Sequence, residues 1–129
     1  MDNPLSTRLS DAVSWRVPFA PKALIYEEGD RATCLYRLES GCVRLQLNHT
    51  DGTRQILKFV MPGQYFGLCQ DVRYSSAEAV TKVEVTHYSL SSLQQLQEQN
   101  NDVSAALINE AMRQFHQLAH HLEAISKLP

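Results

Sequence analysis

The chain has 129 residues, 43% of them hydrophobic, and a formal net charge of -2. That length suits one domain with its own core, and the charge supplies no positive field to recruit nucleic acid or acidic lipid. No apolar run approaches the roughly 20 residues that span a bilayer and no signal peptide opens the chain, so the expected location is cytoplasmic, with no membrane partner.

The opening stretch, MDNPLSTRLSDAVSW, is polar and mixed in charge. From there to about residue 90 the pattern is short strands punctuated by turns. All five glycines lie in this part, and Gly29, Gly41, Gly52 and Gly63 recur every eleven or twelve residues, the rhythm of an all-β sandwich or roll. Asp51-Gly52, inside HTDGT, is the strongest hairpin signal. KALIYEE, CLYRLE, VRLQLN, RQILKFV and AEAVTKVEV read as strands. In CLYRLE, Cys34, Tyr36 and Leu38 share one face while Leu35, Arg37 and Glu39 share the other. In VRLQLN, Val43, Leu45 and Leu47 are expected to face the core, and Arg44 and Gln46 to face water. The sum is an antiparallel roll.

Beyond residue 90 the pattern becomes helical. SLSSLQQLQEQN offers a serine N-cap and leucines at 90, 93 and 96. From Asn101 the apolar residues fall into heptads, with Ile108, Phe115 and Leu122 at a and Ala111, Leu118 and Ile125 at d. A helix over 101–128 would be about 42 Å long, which overshoots a roll of this size. It either lies along its own roll or forms a seam with a second helix. The strict 3.5-residue period favours the seam and a parallel homodimer. Met112 and Ala119, at the e positions, widen the stripe and are expected to reach the roll.

The stretches GDRATCLYRLESGCVRLQLNHTDGTRQILKFVMPGQYFGL and SSAEAVTKVEV, followed by the long helix, resemble the sensor domain of the Crp/Fnr superfamily of transcription regulators, in the style of its FixK-like and Fnr-like branches. The resemblance runs from about Ala23 to Leu128. It implies a fold that is mainly β with C-terminal helices: a cyclic-nucleotide-binding-type antiparallel β-roll, or jelly roll, plus a long dimerisation helix. It divides the chain into a roll over 1–100 and a dimerisation helix over 101–129. It also implies a winged helix-turn-helix that reads the DNA major groove, which is expected to follow Pro129, so that DNA is a partner only through that absent domain.

The resemblance also raises the question of an effector. Nucleotide-binding members carry a glutamate after the Phe-Gly pair for the ribose, and further on an Arg-Ser pair whose arginine fork holds the cyclic phosphate. Here Gly67 is followed by Leu68, and aligning Ser76-Ala77 with the family's Ser-Ala puts Ser75 in the arginine's place. Arg73, two residues earlier, would share a face with Ser75 on an extended strand. Leu118 and Ala119 stand roughly where nucleotide binders place small hydroxyl residues. The expectation is a loop and short helix-like turn over 63–80 that keeps the shape of the phosphate cradle without its chemistry, no response to cyclic AMP, an effector of unknown identity and no cofactor.

The remaining candidates are weaker. The N-terminus has no cysteine before Cys34, which argues against the iron–sulfur mechanism of Fnr. Cys34, Cys42 and Cys69 lack any CxxC. Cys34 reads as a core thiol, Cys42 as outward-facing, and Cys69 as the one candidate for a reactive, redox-active thiol, against an inert loop cysteine. His116 and His120 stand four apart beside His121 on the long helix; they read as solvated, with metal or haem ligation the alternative. A cupin-like metalloenzyme would need a His-x-His pair on a strand, and the strand region offers only His49 in a turn and His87 at a strand end, so no enzymatic activity is expected. A stand-alone ligand- or partner-binding roll is the other alternative.

Overall fold

The computed structural model describes residues 4–69 and 71–127. A short helix α1 (Pro4–Arg8) leads into eight strands: β1 (Ser14–Phe19), β2 (Leu24–Tyr26), β3 (Cys34–Ser40), β4 (Val43–Asn48), β5 (Arg54–Val60), β6 (Tyr65–Phe66), β7 (Ser76–Ala79) and β8 (Val83–Ser89). Helices α2 (Leu90–Gln99) and α3 (Asn101–Ser126) follow. The strands form two antiparallel four-stranded sheets, ordered β1-β8-β3-β6 and β2-β7-β4-β5.

One core lies between the sheets, built from Tyr26, Cys34, Tyr36, Leu38, Val43, Leu45, Val60, Phe66, Ala77, Ala79, Val83 and Val85. A second lies on the outer side of the first sheet, where α1, α2 and α3 bring Leu5, Leu9, Leu93, Val103 and Leu107 against Leu35, Tyr65 and Tyr88. β3 is therefore covered on both faces: Cys34, Tyr36 and Leu38 enter the first core and Leu35 the second, the two faces read from CLYRLE. The expected Asp51-Gly52 hairpin joins β4 to β5. Ser89 caps α2 by accepting from Ser92 N, and Asn100 caps α3 by accepting from Asp102 N.

Several expectations need correction. AEAVTKVEV is two strands, because the chain turns at 80–82 and crosses from one sheet to the other. Gln46 keeps the face of Arg44 but is buried, because a polar row covers it: Arg44 Nε donates to Gln46 Oε1 at 2.9 Å, and Arg44 pairs with Glu78. No helical turn forms in the loop after β6 among the described residues. Met112 and Ala119 are exposed; the roll meets α3 through Val103, Leu107 and Glu110 instead. Cys42 is half-buried rather than open to solvent. α3 ends at Ser126, and Leu128, the expected end, lies outside the described residues. The polar-looking N-terminus supplies both α1 and the edge strand β1.

Candidate functional site

The cassette begins where β6 ends, at Gly67. Its φ of +77° is a conformation that favours glycine, and an added Cβ would stand 2.8 Å from Tyr36 Cδ2 and 3.0 Å from Arg73 Nη1. The loop beyond it is held by a ladder to the segment after β2. Ala32 N donates to Asp71 O (2.6 Å), Arg73 N to Asp30 O (2.8 Å) and Gly29 N to Arg73 O (2.9 Å), around a bridge between Arg31 and Val72. The ladder fixes Arg73 with its side chain inside the roll, 3% exposed.

Arg73 there is engaged by two backbone carbonyls and two aromatic rings. Nη1 donates to Gly67 O at 2.5 Å and Nη2 to Cys34 O at 2.6 Å. The guanidinium carbon lies 4.3 Å from the ring centre of Tyr26 and 5.4 Å from that of Tyr36. No carboxylate among the described residues forms an ion pair with it. Two carbonyl dipoles and two aromatic faces stabilise the charge in place of a counter-ion. Burial raises both tyrosine phenols above the ordinary range, with the Arg73 charge opposing the rise in each. Tyr26 and Tyr36 therefore stay neutral at physiological pH.

The neighbouring candidates are likewise occupied. Ser75, Ser76 and Ala77 are buried, and Ser76 Oγ accepts from Glu28 N at 2.9 Å. Leu68 leaves the cassette altogether and packs against the second core beneath the helices. The structure thus brings Gly67, Arg73, Ser75, Ser76 and Ala77 together and puts Leu68 elsewhere. Chemically, the arrangement ties the loop down: two of the five N–H donors of the arginine fork go to backbone carbonyls, which fixes Arg73 inside the roll.

Cys69 is half-buried, with its thiol donating to Val72 O at 3.1 Å; all three cysteines are free. Among the described residues no group of three or more His, Cys, Asp or Glu is arranged to hold a metal, and His116, His120 and His121 are exposed.

The second candidate surface is the stripe on α3. Ile108, Phe115, Leu118, Leu122 and Ile125 are 50–62% exposed, with the exposed Ala111 between them. The opposite side of the helix is anchored. Glu110 is 4% exposed, pairs with Arg113 and accepts from Gln114 Nε2 at 2.8 Å, while Gln114 Nε2 also donates to Tyr65 O at 3.3 Å. Lys58 of the β4–β5 hairpin donates to Gln117 Oε1 at 3.4 Å. The two sides of α3 thus hold different company: roll contacts run from Val103 to Gln117 on one, and the apolar stripe runs free along the other.

Sequence reasoning missed the aromatic cluster at the edge of the first sheet. The His87 ring lies 5.5 Å from Trp15, 6.0 Å from Phe19 and 4.7 Å edge-on from Tyr36, and burial lowers its pKa. The alternation of Trp15, Val17 and Phe19 in SWRVPF was the available signal. The buried Glu110 had none, since its i,i+3 spacing to Arg113 reads like any solvated pair.

No helix among the described residues is long and apolar enough to cross a membrane. Residues 16–100 match the cyclic nucleotide-binding domain family. The transcriptional activatory protein AadR of Rhodopseudomonas palustris is 33% identical over 79 residues, covering 60% of this chain and 33% of AadR. The nitrogen fixation regulation protein FixK of Rhizobium meliloti is 32% identical over 102 residues, 78% of this chain and 47% of FixK. The solved structure of FixK2 from Bradyrhizobium japonicum superposes with a TM-score of 0.82 at 27% identity, covering 85% of this chain and 56% of that one. The chain spans about half or less of the length of these curated relatives. With its two-sheet roll, its trailing helices and these relatives, the chain belongs to the cyclic nucleotide-binding domain family, within the Crp/Fnr group of transcription regulators.

Proposed function

We propose that the chain is the sensing and dimerising module of a Crp/Fnr-type regulator in the cytoplasm. The part before residue 101 is the sensing unit, and α3 (Asn101–Ser126) is the helix that pairs with a second copy and passes the state of the roll to a DNA-binding domain. It catalyses no reaction. The observation that carries this reading is the bare stripe of Ile108, Ala111, Phe115, Leu118, Leu122 and Ile125 along α3. A contiguous apolar stripe of this length marks an interaction surface, and the heptad period matches a helix of the same kind. Sedimentation equilibrium at tens of micromolar should give a dimer; a monomer throughout that range would contradict the reading.

The roll, on this reading, does not respond to cyclic AMP. The engagement of Arg73 by Gly67 O and Cys34 O supports this, as do Ser76's bond to Glu28 N and the absence of a carboxylate at Leu68. Whatever changes the roll must act by another route, and Cys69 on the same loop is the candidate for an oxidant-sensitive one.

A further inference from the structure

A groove of about 750 Å³ runs between the loop after β6 and the last two helices. Leu68 and Cys69 line one wall, Leu93 lies at its base, and Leu107, Ile108 and Ala111 form the wall on α3. Two of these, Ile108 and Ala111, also belong to the bare stripe, so groove and stripe are one continuous surface. Around α3 the order is roll-facing Leu107 at g, then d, then a, then e, where Met112 stands 50% exposed. Met112 therefore lies across the stripe from its own groove and cannot fill it.

In a parallel pair of helices the g position of one chain lies beside the e position of the partner's following heptad. Leu107 is the g residue in the groove, and Met112 is the e residue of the next heptad. Resting on the dimer reading above, we infer that Met112 of each copy enters the groove of the other, between Leu107 and the Leu68–Cys69 loop. Methionine, unbranched and adaptable, suits an irregular slot whose apolar walls are edged by Gln94, Gln97, Ser104 and Gln114. The consequence is a contact between the cassette loop of one chain and the dimer helix of its partner. A shift of the loop that carries Gly67 and Arg73 is then felt directly across the dimer, without passing through the length of α3.

The test is site-directed cross-linking of the full chain with a short bis-maleimide. Met112→Cys should give a dimer-mass species in which Cys69 of one chain is linked to the introduced thiol at position 112 of the other. Cys69→Ser in that background should abolish it. Leu118→Cys, at a d position, should cross-link to its own copy regardless of Cys69 and reports the dimer alone. If Leu118→Cys links while Met112→Cys stays monomeric, links independently of Cys69, or links to Cys69 within one chain, the groove inference fails and the dimer stands. If neither links, the dimer reading fails and the inference with it.

Discussion

The cassette and the long helix leave opposite things undone. In the cassette the polar groups are tied to the chain itself: Arg73 is held by two carbonyls and two rings, and Ser76 accepts from Glu28 N. On α3 the polar contacts are complete where the helix meets the roll, at Glu110, Arg113 and Gln114, and an apolar face is left bare. On the proposed reading, the roll has turned a ligand site into a structural tie, and what the chain offers to others is a helix face rather than a nucleotide pocket.

Breaking the helix side should have the largest effect. Phe115→Asp puts an unpaired carboxylate in the seam; association should weaken by about a thousandfold or more, ~4 kcal/mol, measured by sedimentation. Because Phe115 is 62% exposed in the single chain, the melting of the monomer should hardly change. A variant that melts much earlier even when dilute would mean that the residue belongs to the chain's own core.

Breaking the cassette side should cost less, and in stability rather than association. Arg73→Ala empties a buried position and leaves Gly67 O and Cys34 O without their donor, so urea unfolding should show a loss of ~2–4 kcal/mol. A loss under about 0.5 kcal/mol, the scale of a surface change, would mean that the arginine is held loosely and free for a ligand.

The smallest effect concerns His87. Burial among Trp15, Phe19 and Tyr36 lowers its folded pKa below the unfolded value of about 6.5. The unfolded chain then binds more protons than the folded one, so this residue's contribution is present above that pH and is lost as pH falls through the folded value. Melting temperature should drop from pH 7 to pH 5, and His87→Leu should flatten the slope by less than the Arg73 effect. An unchanged slope would place the titration elsewhere.

How much of this could be read in advance follows from the range of the interactions. The strands of VRLQLN and RQILKFV and the Asp51-Gly52 hairpin were legible because alternation and turn chemistry are local. The α3 stripe was legible for the same reason, its period being carried by the residues themselves. The split of AEAVTKVEV was not, since the turn at 80–82 has no glycine or proline and is set by Gly41, packed against Lys82 O across the gap. The fate of Arg73 was half legible: sequence put it near Ser75, but its engagement depends on a ladder to residues 29–32 and on Cys34, far away in the chain. Leu68 shows the limit most clearly, because its missing carboxylate was visible while its departure to the second core was not.

The contrast between a closed cassette and an open helix is tested most directly by titrating the unaltered chain with cyclic AMP in a calorimeter. With protein at tens of micromolar and nucleotide carried to about a millimolar, no binding heat is expected, since a phosphate denied its ionic partner loses several decades of affinity. A saturable isotherm with micromolar affinity would contradict a closed cassette and show that Arg73 can hold a phosphate despite its bonds to Gly67 O and Cys34 O.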